Sequence, residues 1–223
     1  MKHKTYENPG AILDDLIARY PALAAQRQAV WQMYELLAGA FEAGGKLLVC
    51  GNGGSAADAL HIVGELMKSF TLKRPLDADV AGALRADCPQ EGEKLLEELE
   101  GALPAIALVE NAALSTALEN DVGGGISFAQ QVYGLGRPGD ALLCISTSGN
   151  AKNAVAAARV ARARGMRVAT LTGGTGGALA PLSDACVIVG EKETFLVQEL
   201  HLPVYHALCL MLEYRFFAPS GVK

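Results

Sequence analysis

Four polar side chains on two predicted helices have the types that proton transfer and metal binding use. His61 and Glu65 lie four residues apart in the run that follows a glycine turn, and Gln198 and His206 lie in a long apolar run near the carboxyl end. Residues four apart share one face of a helix. Imidazole and carboxylate groups placed in this way serve as acid and base or as metal ligands, although the same spacing is common in surface ion pairs.

The glycine turn ahead of His61 predicts an anion site. The apolar run from Leu47 to Cys50 ends at GNGGS, residues 51–55, and a helix-forming run follows. Glycines let a ligand approach the main chain closely, and the free amides at a helix start favour a phosphate. Ser55 is the expected N-cap of that helix. The turn matches neither the dinucleotide nor the Walker pattern, so on its own it is equally compatible with a packing role.

A second turn of the same kind follows another predicted strand. The strand at 141–145 runs into STSGN, residues 146–150, before a helix at about 151–164. Three hydroxyls and a glycine at the mouth of a helix form an anion cradle. A third glycine-rich stretch, at 172–177, is interpreted as a connection rather than a ligand loop. Two cradles in one domain make a phosphorylated ligand the favoured interpretation.

The elements that must position these turns alternate between strand and helix, which predicts an α/β fold with a mainly parallel, doubly wound sheet. The expected strands are 46–50, 104–108, 141–145, 167–171 and 185–189. Ligands then lie at the carboxyl ends of the strands. The expected helix at 194–217 contains Pro203, which should kink it or mark a late start, and His201, which is expected to be a packed histidine.

The chain is expected to form a single domain over residues 1–223, with two additions. Residues 1–44 predict an N-terminal helical extension of two helices, the second beginning near Pro21. Residues 76–103 differ in character from their surroundings, because an acidic amphipathic run at 90–100 follows Asp87-Cys88-Pro89. This stretch predicts a helical insertion.

Composition excludes several classes of partner. The formal net charge is -5 and no run of Lys or Arg is present, which argues against a broad nucleic-acid footprint. We expect no signal peptide and no apolar segment long enough to span a membrane. The five cysteines have no CxxC spacing, so the thiols are expected to be reduced in a cytoplasmic protein.

Taken together, the motifs resemble the SIS (sugar isomerase) domain family and, within it, the phosphoheptose isomerase group. The resemblance rests on GNGGS, the HxxxE pair, the Asn-Asp pair at 120–121, STSGN and the QExHxxxxH run at 198–206. It covers nearly the whole chain except 76–103. It implies a three-layer, flavodoxin-like α/β sandwich, a phosphosugar ligand, zinc as the metal, and a homotetramer with sites between subunits.

The resemblance also implies roles for individual residues. Glu65 corresponds to the catalytic base and His206 to the acid. The implied metal ligands are His61, Glu65, Gln198 and His206. The implied substrate contacts are Asn52, Gly53, Gly54, Ser55, Glu65, Asn120, Asp121, Ser146, Thr147, Ser148 and Gln198. The chain departs from the family at Ala151, where a serine is frequent, and at Phe195, where some isomerases have an aspartate.

Ketose and aldose phosphates interconvert by moving a proton between adjacent carbons through an enediolate, which needs a base at carbon and an acid at oxygen. We therefore expect a phosphosugar aldose-ketose isomerase, with sedoheptulose 7-phosphate to D-glycero-D-manno-heptose 7-phosphate as the first candidate reaction. Two alternatives stay open. One is a non-catalytic, phosphosugar-binding SIS sensor, and the other is an adaptor like the SIS protein that associates with the DnaA replication initiator, which residues 128–140 also resemble.

Overall fold

The computed structural model describes residues 4–219, in which five strands form one parallel sheet. The strands are β1 (Leu47–Gly51), β2 (Ala105–Ala107), β3 (Ala141–Ser146), β4 (Arg167–Gly173) and β5 (Ala185–Val189). Their order is β2-β1-β3-β4-β5, and every pairing is parallel. This is the flavodoxin-like order, whose chain reverses direction across the sheet between β1 and β3. The predicted parallel sheet is confirmed.

Nine α-helices surround the sheet within the described residues. They are α1 (Pro9–Arg19), α2 (Arg27–Glu42), α3 (Gly54–Met67), α4 (Ala78–Asp87), α5 (Pro89–Glu98), α6 (Ala112–Val122), α7 (Ser127–Leu135), α8 (Lys152–Ala163) and α9 (Thr194–Phe217). Short 3-10 helices cover Pro21–Gln26 and Ala180–Leu182. The second predicted N-terminal helix thus begins at Pro21 as a 3-10 turn and becomes α-helical at Arg27.

Two apolar layers, one on each face of the sheet, form the core. Successive strand residues point to opposite faces, so Leu47 and Val49 of β1 pack with α1, α2, α3 and α9, whereas Leu48 and Cys50 pack with α7 and α8. The inner strands β1, β3 and β4 are buried on both faces, as parallel strands covered by helices are. The predicted three-layer α/β sandwich is confirmed.

The α9 helix lies in the first of these layers. By length and composition its 24 residues would suffice to cross a membrane, so the expectation that no apolar segment reaches that length is wrong. More than half of its most apolar window, 56%, is buried inside the protein, which accounts for the apolar composition. The helix continues through Pro203, so the alternative of a late start is also wrong.

Residues 76–103 contain a pair of short helices, α4 and α5, that pack against each other. Gly92 of α5 approaches α4 so closely that a Cβ there would lie 2.5 Å from the Leu84 carbonyl oxygen. Gly92 is the only buried residue of the two helices. The end of the pair is tied to the domain by Glu100, which accepts hydrogen bonds from the Ser69 amide (2.8 Å) and hydroxyl (2.6 Å).

Candidate active site

The turn between β1 and α3 has the conformation that its glycines predict. Gly53 adopts φ +56° and precedes the first residue of α3. A Cβ on Gly51 would lie 2.4 Å from the Ser55 carbonyl oxygen, so the turn closes only with glycine there. The N-cap position belongs to Gly53, and the buried Ser55 is already inside the helix, so the prediction that Ser55 caps α3 is wrong.

The second turn lies beside the first, because β1 and β3 are neighbours in the sheet. Asn52 of the first turn and Asn153 of α8, the helix that follows the second turn, form reciprocal side-chain hydrogen bonds of 2.9 and 2.8 Å. Within the second turn, the Ser148 hydroxyl accepts a hydrogen bond from the Asn150 amide at 3.2 Å. The hydroxyl-rich turn and the glycine turn therefore form one rim.

The third glycine-rich stretch, residues 172–177, and the residues just after it pack against the second turn. A Cβ on Gly149 would lie 2.0 Å from the Gly176 carbonyl oxygen, and the Leu179 amide donates to the Gly149 carbonyl at 3.0 Å. The Asn150 side chain accepts from the Ala178 amide at 3.0 Å. This stretch lines no part of the cavity described next, which agrees with its interpretation as a connection.

A cavity of about 330 Å³ lies between the two turns and the start of α9. Its lining consists of small, amide or hydroxyl-bearing residues with one aliphatic side chain: Asn52, Gly53, Gly54, Ser55, Ile145, Ser146, Thr147, Ser148, Ala151, Thr194 and Gln198. No cationic side chain belongs to this lining. Sequence reasoning missed Thr194, whose position at the first residue of α9 was the available signal.

Gln198 reaches the cavity because α9 approaches the glycine turn very closely. A Cβ on Gly54 would lie 2.2 Å from the Gln198 Nε2 atom. The predicted contacts Asn120 and Asp121 are not in the cavity lining; both are exposed in the last turn of α6, where the Asn120 amide donates to Asp121 at 3.0 Å. Both residues belong to the helix, which ends at Val122.

His61 and Glu65 lie further along α3, facing α9. The His61 Nε2 atom is 3.3 Å from the Glu65 Oε1 atom, and Lys68 Nζ lies 3.3 Å from the other carboxylate oxygen. The Glu65 side chain is only 13% exposed, whereas that of His61 is 42% exposed. On its other side, His61 Nδ1 lies 3.1 Å from the Tyr205 hydroxyl.

His206 of α9 completes this group. Its ring centroid is 5.0 Å from that of His61 in an edge-to-face arrangement. Its Nε2 atom is buried and has no hydrogen-bond partner. Burial, followed by the nearby His61, lowers the pKa of His206, while Glu65 acts in the opposite direction. The His206 imidazole is therefore held in its neutral form at neutral pH.

The four predicted metal ligands lie on two helices, His61 and Glu65 on α3 and Gln198 and His206 on α9. Gln198 and His206 are eight residues apart on the continuous α9 helix, which separates their backbones by about 12 Å. Over residues 4–219, no three His, Cys, Asp or Glu side chains are grouped closely enough to form a complete metal site. The unpartnered His206 nitrogen beside His61 and Glu65 nevertheless has the donor chemistry that zinc uses. The chain thus supplies three suitable donor side chains, those of His61, Glu65 and His206. Gln198 lines the cavity between the two turns.

Comparison with known proteins assigns the chain to a protein family. The SIS domain profile matches residues 14–102 and 99–173. The chain therefore belongs to the SIS domain family. It is 36% identical over 194 residues to the phosphoheptose isomerase of Synechocystis sp., a match that covers 87% of each chain.

Solved structures agree with this assignment. The phosphoheptose isomerase GmhA from Neisseria gonorrhoeae superimposes with a TM-score of 0.70 at 33% identity, covering 92% of this chain and 96% of that one. The phosphoheptose isomerase from Francisella tularensis gives 0.69 at 31% identity, covering 92% and 95%. Within the SIS family the chain belongs to the phosphoheptose isomerase group and is an enzyme of the phosphosugar isomerase class.

Proposed function

We propose that this enzyme converts sedoheptulose 7-phosphate to D-glycero-D-manno-heptose 7-phosphate. The observation that carries the proposal is the cavity between the two turns, which offers hydroxyls and helix-start amides but no cationic side chain. Main-chain amides and hydroxyls at a helix start are a phosphate site. The substrate assignment draws on the relatives, which are named phosphoheptose isomerase at 34–40% identity.

The proton transfer is assigned to Glu65 and His206. Glu65 takes the proton from C1 of the ketose, an enediolate forms, and the proton returns to C2 to give the aldose. His206 donates a hydrogen bond to the carbonyl oxygen and carries a proton between the two oxygens. Because burial keeps the imidazole neutral, its N–H group acts as a neutral donor rather than as an imidazolium.

We propose zinc as the metal, held by His61, Glu65 and His206. When bound, zinc polarises the substrate carbonyl and stabilises the charge that develops on oxygen. A carboxylate bound to zinc would be a weaker base, so Glu65 would take the carbon-bound proton in a form free of the metal. Gln198 is the fourth proposed ligand, and it lines the cavity between the two turns.

We propose a homotetramer with sites between subunits. Exposed apolar side chains occur beside the site on α3 (Leu60 and Met67) and on α9 (Phe195 and Leu202). Such side chains favour contact with another subunit. We propose that a second subunit contributes to each site, so that Gln198, Asn120 and Asp121 act together with Glu65 and His206 across the interface.

We further propose a cytoplasmic enzyme with no direct nucleic-acid or membrane partner, consistent with its net charge of -5. Residues 1–223 would form one SIS domain, with residues 1–44 as its helical extension and 76–103 as its insertion. The acidic surface of the insertion then faces solvent or a neighbouring subunit.

The turnover of sugar phosphates by the purified, zinc-loaded protein tests the proposal. The substrates are sedoheptulose 7-phosphate and matched five- and six-carbon ketose phosphates, and Glu65→Gln and His206→Ala are the control variants. We expect turnover of the seven-carbon sugar, lost in both variants. Binding of phosphosugars without turnover of any of them would instead identify a sensor, a function that the complete cradle also suits.

A further inference from the structure

We propose that Tyr205, oriented by Asp58, is a positioning residue that holds His61 with its Nε2 atom free of hydrogen and directed at Glu65. The tautomer of this one imidazole follows from the contacts of its two ring nitrogens. Its meaning for catalysis rests on the proposed function, but the tautomer itself does not.

The Tyr205 side chain is placed to act on His61. It is 2% exposed on α9, and its hydroxyl lies 3.1 Å from His61 Nδ1. The two rings meet edge to face with centroids 5.5 Å apart. The opposite nitrogen, Nε2, lies 3.3 Å from the Glu65 carboxylate. Each ring nitrogen of His61 thus has one neighbour, and the neighbour of Nδ1 is a single hydroxyl.

The Asp58 carboxyl group determines which group accepts the hydrogen of the Tyr205 hydroxyl. Asp58 lies one turn before His61 on α3, and its carboxyl group hydrogen-bonds with the Tyr205 hydroxyl. The second carboxyl oxygen, Oδ2, is buried without a partner, and the Tyr205 hydroxyl is a hydrogen-bond donor to this partly buried carboxyl group. A phenol has one hydrogen to give, and a carboxylate accepts it more strongly than a neutral imidazole does. Tyr205 therefore donates to Asp58 and accepts from His61 Nδ1–H.

The consequence lies at the other side of the ring. With its hydrogen on Nδ1, His61 presents a lone pair on Nε2 towards the Glu65 carboxylate, and a cation fits between two such acceptors. The opposite tautomer would place a hydrogen on Nε2, which would donate a hydrogen bond to Glu65. The Nε2 atom could then not bind a metal ion, and the Glu65 carboxylate would already be hydrogen-bonded. Partners that fix a histidine through its second nitrogen commonly improve metal affinity.

Nitrogen-15 NMR of the metal-free protein tests the tautomer directly. The spectra are recorded in alkaline buffer, where imidazole is neutral, and the His61 signals are assigned by their loss in His61→Gln. We expect the hydrogen on Nδ1 in the wild-type protein and on Nε2 in Tyr205→Phe. A wild-type protein with the hydrogen on Nε2, or an unchanged tautomer in Tyr205→Phe, overturns the proposal. An unchanged tautomer in Asp58→Asn overturns the part assigned to Asp58.

Zinc titration of the same proteins gives a second measurement. Loss of a partner that orients a metal-binding histidine typically weakens binding about 10- to 100-fold, so we expect that change in Tyr205→Phe. Tyr34→Phe is the matched control, because it removes a buried hydroxyl whose neighbour is Arg215, away from the site. Equal zinc affinity in wild type and Tyr205→Phe contradicts the proposal. Both measurements omit sugar, so an inactive enzyme with the expected tautomer would refute the proposed function alone.

Discussion

Replacing Glu213 by glutamine removes one charge from an ion pair that is wholly buried. Both side chains of the pair, Arg74 and Glu213, are 0% exposed, and the charged groups are 2.9 Å apart. Glu213 also accepts hydrogen bonds from the main-chain amides of residues 70–72. Arg74 in turn donates to the carbonyl oxygens of Leu66 (2.8 Å) and Glu65 (2.9 Å), which lie in the last turn of α3.

The variant leaves the Arg74 guanidinium buried without its counter-charge. Breaking a buried pair from one side costs about 3–5 kcal/mol in the free energy of unfolding, most of it from the uncompensated charge. Because Arg74 holds the main chain at Glu65, kcat should fall as well. Urea unfolding measures the first effect, and turnover under folded conditions measures the second.

A matched control exists on the protein surface. Arg215 pairs with Glu42 at 2.8 Å, but these side chains are 33% and 48% exposed. Glu42→Gln should therefore cost less than about 1 kcal/mol. A Glu213→Gln variant that loses no more stability than Glu42→Gln would refute the reasoning from burial.

Three further predictions concern the cavity and the core. Gly54→Ala places a Cβ against the Gln198 amide and should push that flexible side chain aside, raising KM about tenfold with little change in unfolding free energy. Ala151→Ser adds a hydroxyl to the cavity wall and to the N-cap of α8, so it should tighten phosphosugar binding several-fold and raise the unfolding free energy by about 1 kcal/mol. His201 is fully buried, and burial lowers its pKa to about 4, whereas the unfolded chain titrates near 6.5. Its contribution of about 3 kcal/mol is therefore complete above pH ~6.5 and is lost as the pH falls towards 4, so unfolding free energies at several pH values should decline less steeply in His201→Met.

Each of these predictions has an outcome that contradicts it. For Gly54→Ala it is an unchanged KM, and for Ala151→Ser it is unchanged binding and stability. For His201→Met it is a pH profile of unfolding free energy parallel to that of the wild type.

The sheet and the cradle were predictable because their signals are local. Each strand is a short apolar run, and the turns after β1 and β3 carry their glycines and hydroxyls within a few residues. Parallel strands bring their carboxyl ends to one edge, so GNGGS and STSGN had to meet. His201, predicted to be packed, is indeed fully buried.

The rest of the site depends on how α3 lies against α9, which no local pattern encodes. Gln198 meets Gly54 at the start of α3, and Tyr205 meets His61 two turns later. No local pattern marks Arg74 as buried, because its buried partner, Glu213, lies 139 residues away.

The most direct test of the account is solvent exchange at the reacting carbons. Turnover of sedoheptulose 7-phosphate is run in D₂O with wild-type enzyme and with Glu65→Gln, and deuterium is located by NMR. For the wild-type enzyme we predict that deuterium appears on the carbon that receives the proton. For Glu65→Gln we predict neither deuterium incorporation nor turnover, while phosphosugar binding persists. Wild-type rates of turnover and exchange in Glu65→Gln would contradict the assignment of Glu65 as the base.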